Sequence, residues 1–311
     1  EILKNFDNIS WYDSINKLHK PENIGKYKSS FYNRLAFDEI FSSYLVHSEI
    51  RKKIKKIKKN KKKFYLNKQN EFIDKLDFSL TKDQIKTLNE INKDLISNQK
   101  MFRLLQGDVG SGKTIVALIA ALNVINSGYQ VAVMAPTEIL ARQHYLLAKK
   151  LFKQSVKADL LSSKSEYKDK KRILNELNNN KIDIIFGTHS IFQKKVEFKN
   201  LGLIIIDEQH KFGVNQRKKL SDKGGNNCDV LLMSATPIPR TLTMTIYGDM
   251  DLSIIKEKPK SRKEVRTYTK LESKVDDVIK FIQKEIKTGN QVFWVCPLID
   301  ESKKIDHSSV L

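Results

Sequence analysis

The sequence predicts an α/β fold, a parallel sheet with flanking helices, and three features carry that prediction. Apolar runs of four to six residues alternate with longer helical stretches, most runs end in a polar cluster, and the first cluster is glycine-rich. Ligands bind at the carboxyl ends of the strands in such sheets, so the polar clusters mark one functional edge.

The chain opens weakly. Residues 1 to 28 show no strong periodicity, and Pro21 with Gly25 suggests an irregular connector. From Ser30 a helix is expected, with Phe31, Leu35, Phe41 and Leu45 on roughly one face and Ile50, Ile54 and Ile57 extending it. Within it, residues 51 to 63 carry ten basic residues and no acid. Two readings stand side by side there, a phosphate-tracking arm and a solvated face or flexible linker. The next helix opens at Ser79-Leu-Thr-Lys-Asp-Gln84, where Thr81 and Gln84 fit a capping box, and Ile85, Leu88, Ile91 and Leu95 supply its apolar residues.

Leu104 and Leu105 then read as a buried strand that runs into Gly107, Gly110, Ser111, Gly112, Lys113 and Thr114, the pattern G-x-x-x-x-G-K-[ST]. Glycines let several backbone N–H groups approach a polyphosphate, and the following helix start, Ile115 to Leu122, adds its positive end. Lys113 is expected on the β/γ-phosphates and Thr114 on Mg²⁺. The strand-turn-helix setting favours this over a turn that binds nothing.

Beyond the loop, Gln130 to Ala135 reads as a strand, Glu138 to Phe152 and Lys164 to Leu177 as helices, and Ile182 to Phe186, Leu203 to Ile206 and Asp229 to Ser234 as buried strands. Asp207 and Glu208 follow the second of these, so two adjacent carboxylates arrive at one strand end. A turn there lets both face one site, with Asp207 holding Mg²⁺ and Glu208 orienting or deprotonating the attacking water. Lysine, metal and water-positioning carboxylate together specify hydrolysis of a nucleoside triphosphate. After Pro259 a second unit is expected, with a strand at Glu264 to Tyr268, a helix at Ser273 to Lys287, and a turn and strand at Gly289 to Cys296.

Composition agrees with a nucleic-acid partner. There are 57 Lys and Arg against 36 Asp and Glu, a net charge of +21, and 40% hydrophobic residues are enough for real cores. Part of the lysine excess reflects a chain rich in Lys, Asn and Ile throughout. Cys228 and Cys296 lack ligand spacing and read as free buried thiols. No apolar run approaches the ~18 residues of a membrane span. A cytoplasmic location without membrane contact is expected, and so is a fragment, since the chain begins without Met and ends in Ser-Ser-Val-Leu.

Gln84, the glycine-rich loop, Ala135 to His144, Gly187-Thr-His189, Asp207-Glu-Gln-His210 and Ser234-Ala-Thr236, in that order, resemble the first motor lobe of a superfamily 2 helicase. The resemblance implies a RecA-like ATP-binding lobe at 77–258, preceded by a helical connector at 1–76 and followed by the start of a second RecA-like lobe at 259–311. It implies that Gln84 reads adenine, that Thr137, Arg142 and Thr188 lie along the DNA, and that His210, Ser234 and Thr236 couple hydrolysis to movement. Asp207 to Arg217 and Met233 to Asp251 are similar to the RecG family of branched-DNA helicases, and Leu18-His19 with Arg34 to Ile40 resemble that family's connector. The transcription-repair coupling factors share Pro237 to Leu242 but typically carry Glu where this chain has Gln209. Lys211 replaces a usual Arg, and Ser261 a usual Gly. The family resemblance implies ATP and Mg²⁺ as cofactors, branched or duplex DNA and replication or repair proteins as partners, a monomer, and a role in repair and recombination. Weak activity is expected of the isolated chain, because the arginine fingers belong to the second lobe. The alternatives are a coupling-factor-like translocase and a non-enzymatic DNA-binding remnant.

Overall fold

A computed structural model describes residues 9–19, 30–162, 166–208, 225–236, 250–259 and 265–295. His210, Gln209 and Cys296 lie outside the described residues, as do Pro21 and Gly25. Two units separate at residue 261.

In the first unit, helices α1 (Trp11–His19), α2 (Ser30–Lys56), α3 (Leu66–Asp74) and α4 (Lys82–Ile96) precede the sheet. There follow β1 (Phe102–Gly107), α5 (Lys113–Asn126), β2 (Gln130–Met134), α6 (Glu138–Phe152), β3 (Ala158–Leu161), α7 (Tyr167–Asn178), β4 (Ile184–Gly187), β5 (Leu201–Ile206), β6 (Asp229–Ser234) and β7 (Asp251–Ile255). The seven strands lie in the order β3-β4-β2-β5-β6-β1-β7, and every pairing is parallel.

Apolar residues cover both faces of the sheet, which is why its central strands read as unbroken hydrophobic runs. Neighbours alternate: Leu105, Val133, Phe186, Ile205 and Leu231 pack with α4, α5 and α6, while Leu104, Met134, Ile185, Ile204 and Leu232 pack with α7 on the other face. Helix α5 is apolar nearly all round because it sits inside the first of these cores, with Val116, Ile119, Ala120, Ala121 and Val124 fully buried. At roughly 1.5–3 kcal/mol for each fully buried large aliphatic side chain, this core dominates the stability of the lobe. The capping box forms as expected, with Gln84 N donating to Thr81 Oγ1 at 3.2 Å and Thr81 N to Gln84 Oε1 at 2.8 Å.

Four expectations need correction. Residues 11–19, read as part of an irregular connector, form α1, whose first turn is capped by Ser10 Oγ accepting from Asp13 N at 3.0 Å. The helix expected to run through the basic stretch stops at Lys56, and residues 57–63 run alongside the loop after α4 instead. Lys59 N bonds Asn98 O at 2.9 Å, Lys100 N bonds Ile57 O at 3.3 Å, and Lys58 bridges Gln99. The run is also not uniformly solvated. Lys59 Nζ reaches both Asp229 oxygens at 2.7 and 2.6 Å, Lys62 Nζ reaches Asp229 Oδ2 at 2.5 Å, and all three side chains are buried. Arg51 and Lys55 pair with Asp251, the latter at 3.7 Å. Asp229 and Asp251 begin β6 and β7, so these cations bind the amino edge of the sheet, opposite the glycine-rich loop.

In the second unit the described residues form one helix, α8 (Val275–Lys287), after a short 3-10 turn at Glu272–Lys274. No strand forms at 265–268 or 291–295, the third and fourth corrections. A strand needs neighbours to hydrogen-bond, and these segments have none among the described residues. Phe293 and Val295 are each 87% exposed.

Candidate active site

The glycine-rich loop joins the end of β1 to the start of α5. Gly110 (φ 74°) and Gly112 (φ 88°) adopt left-handed backbone that favours glycine. At Gly112 a second reason applies, since a Cβ there would lie 2.2 Å from Gln84 Nε2. That amide nitrogen donates to Ser111 O at 2.8 Å, so the first turn of α4 grips the loop. No side chain caps α5 at Gly112, which leaves its first N–H groups to an anion. Ser111 Oγ is buried without a hydrogen-bond partner and lies so near Gly107 that a Cβ there would come within 2.5 Å of it.

Lys113 curls back over the loop, its Nζ donating to Gly107 O at 2.7 Å and Asp108 O at 3.0 Å. Burial lowers its pKa, and Asp207, Glu208 and Asp108 act in the opposite direction. The ammonium therefore sits within the field of the carboxylates that end β5. Thr114, next on α5, is half-buried. Left-handed glycines, an uncapped helix start, an unpartnered buried hydroxyl and a buried lysine fit a polyphosphate.

Asp207 is buried, its backbone N donating to Met134 O at 2.8 Å, which ties it to the end of β2. Its Oδ1 accepts from Glu208 N at 3.0 Å. Glu208 takes a left-handed φ of 49° immediately after the strand. The backbone there is no longer extended, so the side-chain alternation of a continuing strand does not apply at Glu208. Among the described residues no three His, Cys, Asp or Glu side chains form a metal cage.

Strand β6 lies between β1 and β5 and carries Ser234 and Thr236 to the same edge. Their hydroxyls are 2.8 Å apart, and Thr236 O accepts from Gln106 Nε2 of β1 at 3.1 Å. Thr137 caps α6 through Leu140 N at 3.3 Å, Thr188 Oγ1 lies 3.5 Å from Ser190 Oγ, and Arg142 is exposed. These three follow β2 and β4, neighbouring strands on the far side of β5. The strand order thus sets two groups side by side on one edge, the glycine-rich loop, Ser234 with Thr236, and Asp207 with Glu208 at β1, β6 and β5, and Thr137, Arg142 and Thr188 at β2 and β4. At ~4.8 Å per strand the whole row spans roughly 20 Å.

Two residues of the site carried no role in the sequence reading. Gln106 joins β1 to the Ser234–Thr236 turn. His144 Nε2 lies 2.8 Å from Asp207 Oδ2. The signal for His144 was its spacing: Ala141, His144, Ala148 and Phe152 form the buried stripe of α6, and a histidine on that stripe asks for a polar partner.

The fold and site define a helicase motor lobe, and residues 81–245 match the DEAD/DEAH box helicases, the family to which the chain belongs. Within that family it is similar to RecG. It is 46% identical over 302 residues to the ATP-dependent DNA helicase RecG of Aquifex aeolicus, covering 94% of this chain and 38% of the relative. It is 44% identical to the RecG of Bacillus subtilis, covering 98% of this chain and 45% of that one. The chain thus spans less than half the length of these relatives. A structure of RecG bound to a three-way DNA junction superposes with a TM-score of 0.76 at 42% identity, over 84% of this chain and 35% of that one. The DEAD-box helicase Mss116 bound to single-stranded RNA, at 19% identity and a TM-score of 0.52, shares the fold. Among the described residues no helix is long and apolar enough to cross a membrane.

Proposed function

We propose that this chain is the ATP-gripping part of a RecG-type motor that uses ATP and Mg²⁺ to remodel branched DNA such as stalled forks and Holliday junctions. The observation that carries this is the strand order: β5, β6 and β1 are parallel neighbours, so Asp207 and Glu208 and the loop that holds Lys113 leave the sheet on the same carboxyl edge, one strand apart. The reading divides the chain into a connector (1–76), a first lobe (77–258) and the start of a second (259–311).

In this reading, the N–H groups of Gly110 and Gly112 and the start of α5 cradle the phosphates, joined by that of Ser111 once it leaves Asp108 O. Lys113 leaves the carbonyls of Gly107 and Asp108 for the β/γ-phosphates. Thr114 and Asp207 hold Mg²⁺, which when bound supplies charge neutralisation at the reacting phosphate. Glu208 orients the attacking water and accepts its proton. Gln84 reads adenine, Thr137, Arg142 and Thr188 track DNA, and Ser234 and Thr236, with His210, pass the state of the nucleotide to the DNA side.

Titration with a fluorescent ATP analogue in Mg²⁺, with and without a three-way DNA junction, tests the proposal. Wild-type protein is expected to bind and Lys113→Ala to lose binding while still associating with DNA. Equal nucleotide affinity in the two proteins would exclude this reading.

A further inference from the structure

Asp207 is held from a direction that the nucleotide reading does not use. His144 Nε2 lies 2.8 Å from Asp207 Oδ2, and each side chain is only 10% exposed. An ionised carboxylate can only accept, so the imidazole donates. The other oxygen, Oδ1, accepts from Glu208 N at 3.0 Å, and the Asp207 backbone is anchored on Met134 O. The carboxylate is thereby fixed at both oxygens and at its own backbone. His144 is itself confined, because Ala141, Ala148 and Phe152 bury the same face of α6.

We propose that His144 is a positioning residue for the metal side of the nucleotide site, holding Asp207 in the one orientation that receives the hydrated cation. The inference rests on the nucleotide reading above and deepens it. Donors that orient a metal-binding carboxylate contribute through geometry, and their removal typically costs about 10–100-fold in metal affinity. His144 belongs to the helix that Thr137 caps and that exposes Arg142, so the cation site and the proposed DNA track share one rigid element.

The test is equilibrium binding of a fluorescent ATP analogue to wild type, His144→Leu, His144→Asn, His144→Gln and Lys113→Ala, each with Mg²⁺ and with EDTA. The Leu and Asn variants, which lack a donor or carry one too short to reach, are expected to lose about 10–100-fold of the affinity that Mg²⁺ adds. Their affinity in EDTA should equal that of wild type. Gln places an amide N–H at a reach close to Nε2 and should recover most of the loss. Asn stands in if Leu does not fold. A full Mg²⁺ increment in the Leu or Asn variant would overturn the proposal. So would a loss that is equal in Mg²⁺ and EDTA, which marks a packing role only. Failure of the nucleotide reading has its own signature, Lys113→Ala binding as tightly as wild type, and removes this inference with it.

Discussion

Gln84 Nε2 donates to the Ser111 carbonyl at 2.8 Å while its Oε1 accepts from Thr81 N at 2.8 Å, so one amide caps α4 and tethers the glycine-rich loop. The two duties separate by mutation. Gln84→Glu keeps an acceptor for Thr81 N and loses the donor to Ser111; Gln84→Ala loses both. The Ala variant is expected to lose about 1 kcal/mol of stability with the cap, and the Glu variant more, because at 3% exposure its carboxylate would face the Ser111 carbonyl without a donor. Both should bind nucleotide more weakly. Urea denaturation alongside ATP-analogue titration checks both, and an Ala variant as stable as wild type would show that the cap does not matter.

Gly112→Ala combines a left-handed φ of 88° with a Cβ placed 2.2 Å from Gln84 Nε2. The expected outcome is a displaced loop and loss of nucleotide binding, with a melting temperature lowered by a few degrees for a cost of about 1–2 kcal/mol. Gly128→Ala, also at positive φ (84°) but with open space around it, carries the backbone strain alone. It should keep full nucleotide binding.

Asp229 neutralises two buried lysines and also accepts from Met101 N at 2.7 Å. Asp229→Ala leaves both ammonium groups without their carboxylate, at an expected cost of about 3–5 kcal/mol. Released from the sheet, residues 57–63 should become a trypsin site, visible as a cleavage product at low protease. Charge reversal at Lys52 and Lys53, on the exposed part of the run, should leave stability within about 0.5 kcal/mol.

The same cluster has a pH signature. Burial lowers the Lys59 pKa below its ordinary 10.5, against the attraction of Asp229. Between the lowered value and 10.5 the unfolded chain binds more protons than the folded one, so the contribution of Lys59 to stability rises with pH through that window. Below it, the burial penalty is fully present. Melting temperatures of wild type and Lys59→Met, followed from pH 7 to 10, should diverge in favour of wild type at the alkaline end. A difference constant with pH would exclude a titrating Lys59.

Burial pushes the Cys228 thiol up to about 12. At pH 9 on the order of one Cys228 in a thousand is then thiolate, so in a Cys296→Ser background the native protein should resist thiol reagents and react at once in denaturant. Rapid native labelling would contradict the buried setting.

Elements with a self-contained local signal were legible. Glu138–Phe152 matches its expected limits, because Thr137 supplies the cap and Ala141, His144, Ala148 and Phe152 the buried stripe. Strand Asp229–Ser234 was equally clear, its apolar run being buried on both faces. Edge strands escaped. Ala158–Leu161 is four residues long and mostly half-buried, and Asp251–Ile255 mixes polar with apolar residues because only one side of it is paired. The short helix Trp11–His19 escaped because nine residues give too little periodicity to stand out.

The site divides the same way. The glycine-rich loop and the adjacent carboxylates follow from residue types at fixed spacing along one stretch of chain, so the sequence by itself determined the parallel α/β fold and which polar residues stand at its carboxyl edge. The basic run did not yield to such reading. Lys59 and Lys62 became internal partners of Asp229, 170 and 167 residues away, while Lys61 and Lys63 beside them stayed exposed. His144 likewise meets Asp207 across 63 residues. Only the tertiary structure decided these, because whether a charge is solvated or buried depends on which distant backbone comes to cover it, and spacing along the chain carries no record of that.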